Sequence, residues 1–271
     1  MRAADKLIQV AEQAVNLATE ILRTQPVGQV TGKGDRDMAS NVDFAIERQV
    51  RSFLADRTPS IGLLGEEEGL SGPEGGELVW ALDPIDGTAN FLHGLPLCAV
   101  SLALIENRRP TLGVIALPYL RSRYWAIEGQ GAYSGNRKLK ARDSLSLTES
   151  IVSIGDYAVG NFAPEKNKSR FLITERLASQ VQRIRMVGSA AIDLAWVADG
   201  LLDASVMLSN NPWDTAAGVI IAREAGACVV DVYGRPHSWE STETIAVSQA
   251  LLRPLLEMLM PGSCEAGASR T

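Results

Sequence analysis

The fold of this chain is indicated most clearly by one segment, Asp83-Pro84-Ile85-Asp86-Gly87-Thr88-Ala89-Asn90-Phe91. The apolar run from Leu78 to Leu82 precedes it and predicts a buried strand that ends in acidic residues. Pro84 stiffens the turn, so the carboxylates of Asp83 and Asp86 can converge on one side. Two carboxylates so close repel each other, and a hard divalent cation between them would stabilise the arrangement.

The second part of this segment has the chemistry of a helix start. Gly87 permits close backbone approach, and Thr88 and Asn90 are polar residues typical of a helix N-terminus. Backbone N–H groups that point outward there could bind a phosphate beside the two carboxylates. Taken alone, the segment is equally compatible with an Asx-type turn followed by a capped helix.

Two further acidic positions favour the metal-binding interpretation. Another apolar run, Ile61 to Leu64, leads into Glu66-Glu67-Glu68, and Asp214 follows Pro212-Trp213 at a predicted helix start. By itself the glutamate triplet is typical of a solvated loop. Asp214 alone is also explained by the favourable interaction of an acidic first-turn residue with the helix dipole.

The order and spacing of these segments resemble the inositol monophosphatase family. The segments that carry the resemblance are Lys33 to Asp43, Gly65-Glu66-Glu67, Asp83 to Phe91, Gly188-Ser189-Ala190-Ala191, Trp213 to Gly218 and Ile220 to Asp231. They extend over roughly residues 5 to 250, and several motifs in order are more specific than one short pattern. The resemblance implies a layered sandwich of the α+β or α/β class, with alternating α and β layers, like that of inositol monophosphatase and fructose-1,6-bisphosphatase.

The resemblance also implies a metal-dependent phosphatase site that uses two to three Mg²⁺ ions. The implied metal ligands are Glu66, Asp83, the backbone carbonyl of Ile85, Asp86 and Asp214. The implied catalytic residues, which would orient an attacking water, are Glu66, Thr88 and Asp43. The implied substrate-binding residues are Asp86, Gly87, Thr88, Gly188, Ser189, Ala190 and Asp214. Lys33 would lie near the metal loop or the phosphate, or else in solvent. The expected reaction is hydrolysis of a small polyol, cyclitol or sugar phosphate.

Met207 is the departure from the family pattern that bears on the substrate, beside Ala39-Ser40 in place of Val-Thr and Ala227 in place of a Gly. Seven residues before Asp214, the inositol phosphatases carry a Glu that binds ring hydroxyls, and here Met207 stands at that position. A thioether cannot replace a carboxylate that accepts two hydrogen bonds. Phosphatases for histidinol phosphate, fructose 1,6-bisphosphate or 3′-phosphoadenosine nucleotides therefore stay open as alternatives, and so does a mainly regulatory or binding role.

Composition limits the partners. The chain has 32 acidic residues against 26 basic ones, a net charge of -6, which argues against nucleic acid. No apolar run approaches the about 18 to 20 residues of a membrane span, and the N-terminus does not have the pattern of a secretory signal. We therefore expect a cytoplasmic enzyme with a small phosphorylated substrate and no membrane partner, and the family resemblance adds the expectation of a homodimer.

A change of pattern near residue 145 divides the chain. Residues 1–145 combine helices with short strands that are typical of an antiparallel sheet, and this half carries most of the implied metal ligands. In residues 146–260 strands alternate with helices, which is typical of an α/β unit, and this half contributes Asp214 and the substrate-side residues. Residues 261–271 have no periodicity and are expected to form a loose tail.

Overall fold

The chain folds into helices and strands, with most of the strands of its first half following one another without long helices between them. A computed structural model describes residues 3–32, 38–73 and 76–259, so Lys33 and the predicted tail lie outside the described residues. The helices are α1 (Ala3–Thr24), α2 (Asn41–Arg57), α3 (Thr88–Leu92), α4 (Ala163–Gln180), α5 (Ala190–Ala198), α6 (Pro212–Glu224) and α7 (Leu252–Leu259). The strands are β1 (Val30–Gly32), β2 (Met38–Ser40), β3 (Gly62–Gly65), β4 (Gly69–Ser71), β5 (Leu78–Asp86), β6 (Ala99–Glu106), β7 (Arg109–Leu117), β8 (Ser122–Ile127), β9 (Gly131–Ser134), β10 (Arg137–Lys138), β11 (Ile151–Ile154), β12 (Arg183–Arg185), β13 (Ala204–Met207), β14 (Cys228–Val230) and β15 (Thr244–Val247).

The strands form two large sheets. An eight-stranded sheet has the order β10-β9-β8-β7-β6-β5-β3-β4, and a five-stranded sheet has the order β12-β11-β13-β15-β14. The first sheet is antiparallel except where β3 runs parallel to β5. In the second sheet β11 is parallel to β12 and β13, whereas β15 is antiparallel to β13 and β14. The second sheet is therefore mixed.

Helices cover both faces of these sheets. Along β6, Val100 and Leu102 pack in one hydrophobic cluster with α1 and α2, while Ala99 and Ala103 point to the opposite cluster with α5 and α6. This alternation is what the two-residue period of a strand requires when both faces are buried. Residues of the five-stranded sheet contact α5 and α6 on one side and α4 and α7 on the other. The predicted layered sandwich is confirmed.

Small residues let α6 approach its neighbours closely. A Cβ atom on Gly113 of β7 would lie 2.7 Å from the backbone oxygen of Ala217, and one on Gly218 would lie 2.5 Å from the Cβ of Leu194. Any larger residue would push α6 away from the eight-stranded sheet or from α5. This packing fixes the first turn of α6, which carries Asp214, against the sheet that carries the other acidic residues.

The described helices also bear on membrane association. None of them combines the length and the apolar character that crossing a bilayer takes. Among the described cysteines, Cys98 is buried, Cys228 is partly buried, and both are free thiols.

Candidate active site

Two neighbouring strands bring the acidic segments together. Because β3 runs parallel to β5, with Gly65 opposite Leu82, the chain leaves both strands at the same edge of the sheet. Glu66 and Asp83 follow these two positions directly. An antiparallel arrangement would have placed them at opposite ends, so the parallel pairing of β3 with β5 is what assembles the site.

The acidic turn itself is a break in the strand ladder. The pairing of β5 with β6 shifts register between Asp83 and Asp86, with Pro84 between them. Proline has no N–H to donate to a ladder, so it is tolerated at such a bulge. The bulge turns both carboxylates into one cavity.

Asp83 is a buried carboxylate with an unsatisfied oxygen. Its side chain is 3% exposed, and its Oδ1 has no hydrogen-bond partner. Burial first, and then the nearby charges of Glu66 and Asp86, raise the pKa of Asp83 well above its ordinary value. An acceptor in this position requires a proton or a cation to offset its burial.

Asp86 is bound to the start of α5. Its Oδ2 accepts a hydrogen bond from the Ser189 hydroxyl at 2.6 Å and one from the Ala191 N–H at 2.5 Å, and its Oδ1 is 3.3 Å from the Ala190 nitrogen. Burial raises the pKa of Asp86 to about 6 in spite of these hydrogen bonds, which act in the opposite direction. These contacts join the acidic turn to Ser189 and Ala190, which the family resemblance implies as substrate-binding residues.

Asp214 reaches the same cavity from α6. It is the third residue of the helix, and its Oδ2 accepts a hydrogen bond from the Asn211 N–H at 2.6 Å in a capping box. Burial raises the pKa of Asp214 to about 7, with the charges of Asp86 and Glu66 acting in the same direction. The helix-cap explanation and the metal-ligand explanation of this residue are therefore compatible.

Gly87 and Thr88 form the turn into α3. Gly87 has φ +88°, and a Cβ atom there would lie 2.8 Å from the Leu97 carbonyl oxygen, so a side chain is excluded by strain and by space. The Thr88 hydroxyl donates to the Ile85 carbonyl at 2.9 Å. Its Oγ1 is also 3.5 Å from Asp43 Oδ1. Asp43, which the resemblance implies as a catalytic residue, is therefore within reach of Thr88 but does not line the cavity.

Asp43 is held rigidly behind Thr88. Its Oδ2 accepts hydrogen bonds from the Ser40 N–H at 2.8 Å and from the Ser40 hydroxyl at 2.6 Å, which form a capping box at the start of α2. Burial raises the pKa of Asp43. Because Oδ2 is occupied, only Oδ1 is available to Thr88.

Sequence reasoning missed Glu47. This fully buried residue of α2 accepts hydrogen bonds from the N–H groups of Glu67 at 2.8 Å and Glu68 at 3.0 Å, and it pairs with Arg51 at 2.5 Å. The carboxylate occupies the space that a side chain at Gly65 would need. Glu47 thus fixes the loop that carries Glu66. The signal in the sequence was a glutamate on the apolar face of a helix, next to the buried Ile46.

One cavity of about 250 Å³ collects these groups. The predicted residues that line it are Glu66, Asp83, Ile85, Asp86, Gly87, Thr88, Gly188, Ser189, Ala190 and Asp214. Lining residues to which the sequence assigned no role are Gly155, Asp156, Asp193 and Ser209. Met207, at the end of β13, also lines the cavity and is 3% exposed. A larger open groove of about 680 Å³ beside Arg23 and Arg121 has no carboxylate in its lining.

The donor set of the cavity fits a hard divalent cation. All the implied ligand atoms are oxygens, and the unpartnered Oδ1 of Asp83 is a ready acceptor of positive charge. Within the described part of the chain, however, no three His, Cys, Asp or Glu side chains are already arranged to hold a metal ion. A bound cation would therefore have to draw the carboxylates closer together.

The cavity combines acidic residues of the eight-stranded sheet and its loops with Asp214 of helix α6. Comparison with known proteins places the chain among the phosphoric monoester hydrolases. It belongs to the inositol monophosphatase family, a generally metal-dependent group, whose model matches residues 2–261. The predicted family and the enzyme class are thereby confirmed. Membership also implies a small phosphorylated substrate.

Several relatives cover most of the chain. Inositol-1-monophosphatase ImpA of Mycolicibacterium smegmatis is 35% identical over 253 residues, which are 90% of this chain and 91% of that protein. Fructose-1,6-bisphosphatase/inositol-1-monophosphatase of Thermotoga maritima is 37% identical over 74% of each chain. Nus factor SuhB of Xylella fastidiosa is 34% identical over 86% of this chain and 82% of that protein. The crystal structure of extragenic suppressor protein suhB from Bartonella henselae superimposes with a TM-score of 0.88 at 30% identity, covering 94% of this chain and 98% of that chain.

Proposed function

We propose that this chain is a Mg²⁺-dependent phosphate monoesterase that hydrolyses a small polyol, cyclitol or sugar phosphate. The observation that carries the proposal is that one cavity is lined by all four carboxylates of the implied metal set, three from the 1–145 half and Asp214 from the 146–260 half. Asp83 Oδ1 is buried there without a partner, which is unfavourable unless a proton or a cation binds.

The family resemblance implies which residues would hold the metal, and all of them line the cavity. Glu66, Asp83 and the Ile85 carbonyl form one donor set, and Asp83, Asp86 and Asp214 form the other, for two to three ions in all. Oxygen donors around a water-accessible cavity suit Mg²⁺ better than zinc, which prefers nitrogen and sulfur. When bound, Mg²⁺ supplies a Lewis acid that activates water and neutralises charge on the phosphoryl group and the leaving oxygen.

The chain itself positions the reactants. The N–H groups of Gly87 and Thr88 at the start of α3 bind the phosphate oxygens. The Thr88 hydroxyl and the Glu66 carboxylate orient the attacking water, and Asp43 holds Thr88 from behind. Gly188, Ser189 and Ala190 line the side of the cavity where the leaving group departs. Ser189 also fixes Asp86 by its 2.6 Å hydrogen bond.

A phosphate-release assay tests this function. Wild-type protein with Mg²⁺ and a panel of sugar, polyol and cyclitol monophosphates should release phosphate, and Asp86→Asn should lower kcat/KM by about 100-fold or more, since a metal site contributes several kcal/mol. Asp143→Asn, an exposed acidic residue paired with Lys140, is the matched control and should retain activity. Release that survives Asp86→Asn would overturn the metal assignment, and no release from any ester would overturn the function.

The expected homodimer belongs to the same proposal. Light scattering on the purified protein should give twice the mass of the 29.1 kDa chain. A monomer at micromolar concentration would contradict the dimer while leaving the phosphatase assignment unaffected.

A mainly regulatory or binding role is the second candidate. It is favoured by the similarity to a relative named Nus factor SuhB. This role predicts association with another macromolecule that is unchanged in Asp83→Asn, together with negligible turnover of every ester. Retention of the complete acidic set favours the enzyme, because a purely binding role does not require these carboxylates.

A further inference from the structure

His237 is a buried imidazole that the proposed reaction does not use. The residue lies between β14 and β15 and is 7% exposed, and its Nε2 is 2.9 Å from the Thr244 hydroxyl. Its Nδ1 is buried and has no hydrogen-bond partner among the described residues. Within that part of the chain, the hydrogen bond to Thr244 is therefore what orients the ring.

A chain of hydrogen bonds connects His237 to the cavity of the proposed active site. Thr244 is fully buried, and its hydroxyl is 2.9 Å from the Oδ1 of Asn210. The Nδ2 of Asn210 donates to the Ser241 carbonyl at 3.2 Å. Asn210 lines the cavity, whereas His237 and Thr244 do not. The chain thus runs from a buried ring through one hydroxyl to the cavity wall.

Each proton of this chain has a defined place. Because only an amide nitrogen can donate to the Ser241 carbonyl, the oxygen of Asn210 faces Thr244 and accepts its hydroxyl proton. Burial, and then the charge of Arg223, lower the pKa of His237 to about 4, so the ring is neutral at pH 7 and carries one proton. That proton lies on Nε2, since the Thr244 hydroxyl can only accept there.

Asn210 belongs to the loop that starts α6. The next residue, Asn211, is the N-cap of this helix, and its N–H donates to Asp214 Oδ2 at 2.6 Å. Near the other end of α6, the side chain of Arg223 donates to the backbone carbonyl of His237 at 2.6 Å. The segment that carries His237 therefore contacts α6 at its C-terminal end and reaches its N-terminal end through the hydrogen-bond chain.

Packing places His237 at the same turn of the helix. The imidazole lines a small enclosed cavity together with Pro212 and Thr215, which lie on either side of Asp214 in the sequence. Ile105 of β6 lines this cavity as well. His237 is thus packed between the first turn of α6 and the eight-stranded sheet.

We propose that His237 is a positioning residue that acts through Thr244 and Asn210 on the loop before α6. The loop in turn fixes Asp214, a member of the proposed metal set. This inference rests on the proposed function and adds to it a residue outside the cavity. The Nε2–H of His237 sets the rotation of the Thr244 hydroxyl, because a hydroxyl that accepts from it must direct its own proton to Asn210.

Hydrogen–deuterium exchange without metal tests the hold on the loop. Thr244→Val removes the hydroxyl with little change in volume, and His237→Phe keeps a flat ring but removes the Nε2–H. In both variants the amides of residues 209–215 should exchange about three- to tenfold faster, while the slow amides of β7 keep their wild-type rates. A role confined to overall stability would raise both sets of rates.

Conservative variants and a matched control complete the exchange experiment. Thr244→Ser keeps the hydroxyl and His237→Gln keeps an N–H donor, so both should retain exchange rates close to those of wild type. Thr242→Val changes an exposed threonine of the same segment and should alter neither exchange nor activity.

Calorimetric titration with Mg²⁺ and phosphate release connect the loop to the site. We expect the Mg²⁺ dissociation constant to rise and kcat/KM to fall about three- to tenfold in Thr244→Val and in His237→Phe, since small misplacements of positioned groups are costly. The double variant should show no more than the larger single effect, because both substitutions break one chain.

Two results would overturn the inference while the phosphatase function stands. One is a folded Thr244→Val protein with unchanged loop exchange, Mg²⁺ affinity and kcat/KM, and the other is a double variant in which the single effects multiply. Wild-type protein that neither binds Mg²⁺ nor releases phosphate would overturn the proposed function. The exchange rates, which require neither metal nor ester, would still decide whether His237 holds the loop.

Discussion

Of the residues that do not line the cavity, Glu47 is the one whose substitution should disturb the site most. In Glu47→Ala the N–H groups of Glu67 and Glu68 lose their acceptor, and Arg51 loses the carboxylate at 2.5 Å. Hydrogen bonds to a charged group contribute about 1.5–3 kcal/mol each, and breaking a buried ion pair costs about 3–5 kcal/mol. These contributions overlap, so we expect the free energy of unfolding to fall by about 3–5 kcal/mol.

The same substitution should lower activity. Without Glu47 the loop after β3 is free to shift, and a misplacement of about 1 Å in a positioning group can cost about 100-fold in rate. We therefore expect kcat/KM to fall by about 10- to 100-fold. Activity is measured without urea, where the variant is still folded. Glu47→Gln, which keeps an acceptor but not the charge, should fall between wild type and Glu47→Ala.

Urea unfolding at pH 7 and phosphate release are the two assays. Asp56→Asn is the matched control, because Asp56 is an exposed acidic residue on the same helix and its substitution should change stability by no more than about 0.5 kcal/mol. A loss below about 1 kcal/mol in Glu47→Ala, with unchanged kcat/KM, would refute the reasoning that Glu47 holds the Glu66 loop.

Two further predictions concern Ser189 and His237. Ser189→Ala removes an N-cap hydrogen bond and the hydrogen bond to Asp86, so the free energy of unfolding should fall by about 1–3 kcal/mol in urea titrations, and an unchanged value would contradict the role of this contact. Burial lowers the pKa of His237 from 6.5 to about 4 in the folded protein. Between pH 4 and 6.5 the unfolded chain therefore binds a proton that the folded protein does not, so the free energy of unfolding rises with pH. Relative to His237→Gln, wild type should lose up to about 3 kcal/mol as the pH falls from 6.5 to 4, and parallel stability curves would refute this.

Long, regular elements of the fold are readable from the sequence. The apolar spacing predicts α1 with its end before Pro26, and the runs at Ile151–Ile154, Ala204–Met207 and Thr244–Val247 coincide with strands of the structure. Strands of two or three residues such as β1, β4 and β10 are too short to produce a period. The parallel pairing of β3 with β5 is not predictable either, because the strand pairing depends on contacts between distant parts of the chain.

The site, like the fold, has a part that can be predicted from the sequence and a part that cannot. Its contiguous acidic motifs are visible in the sequence because their ligands are close along the chain, and the structure gathers all but Asp43 around one cavity. Glu47, Asp156 and Asp193 reach the site from separate elements, so no local spacing marks them. Their only signal is an acidic residue in an apolar setting, as for Asp193 in the otherwise apolar helix α5.

Locating a bound metal tests the central claim most directly. Crystals grown with Mn²⁺ in place of Mg²⁺ should show anomalous scattering within coordination distance of the carboxylates of Asp83, Asp86 and Asp214, and the peak should disappear in Asp86→Asn. A protein that releases phosphate while its Mn²⁺ lies elsewhere, or while no ion binds at this cavity, would contradict the account.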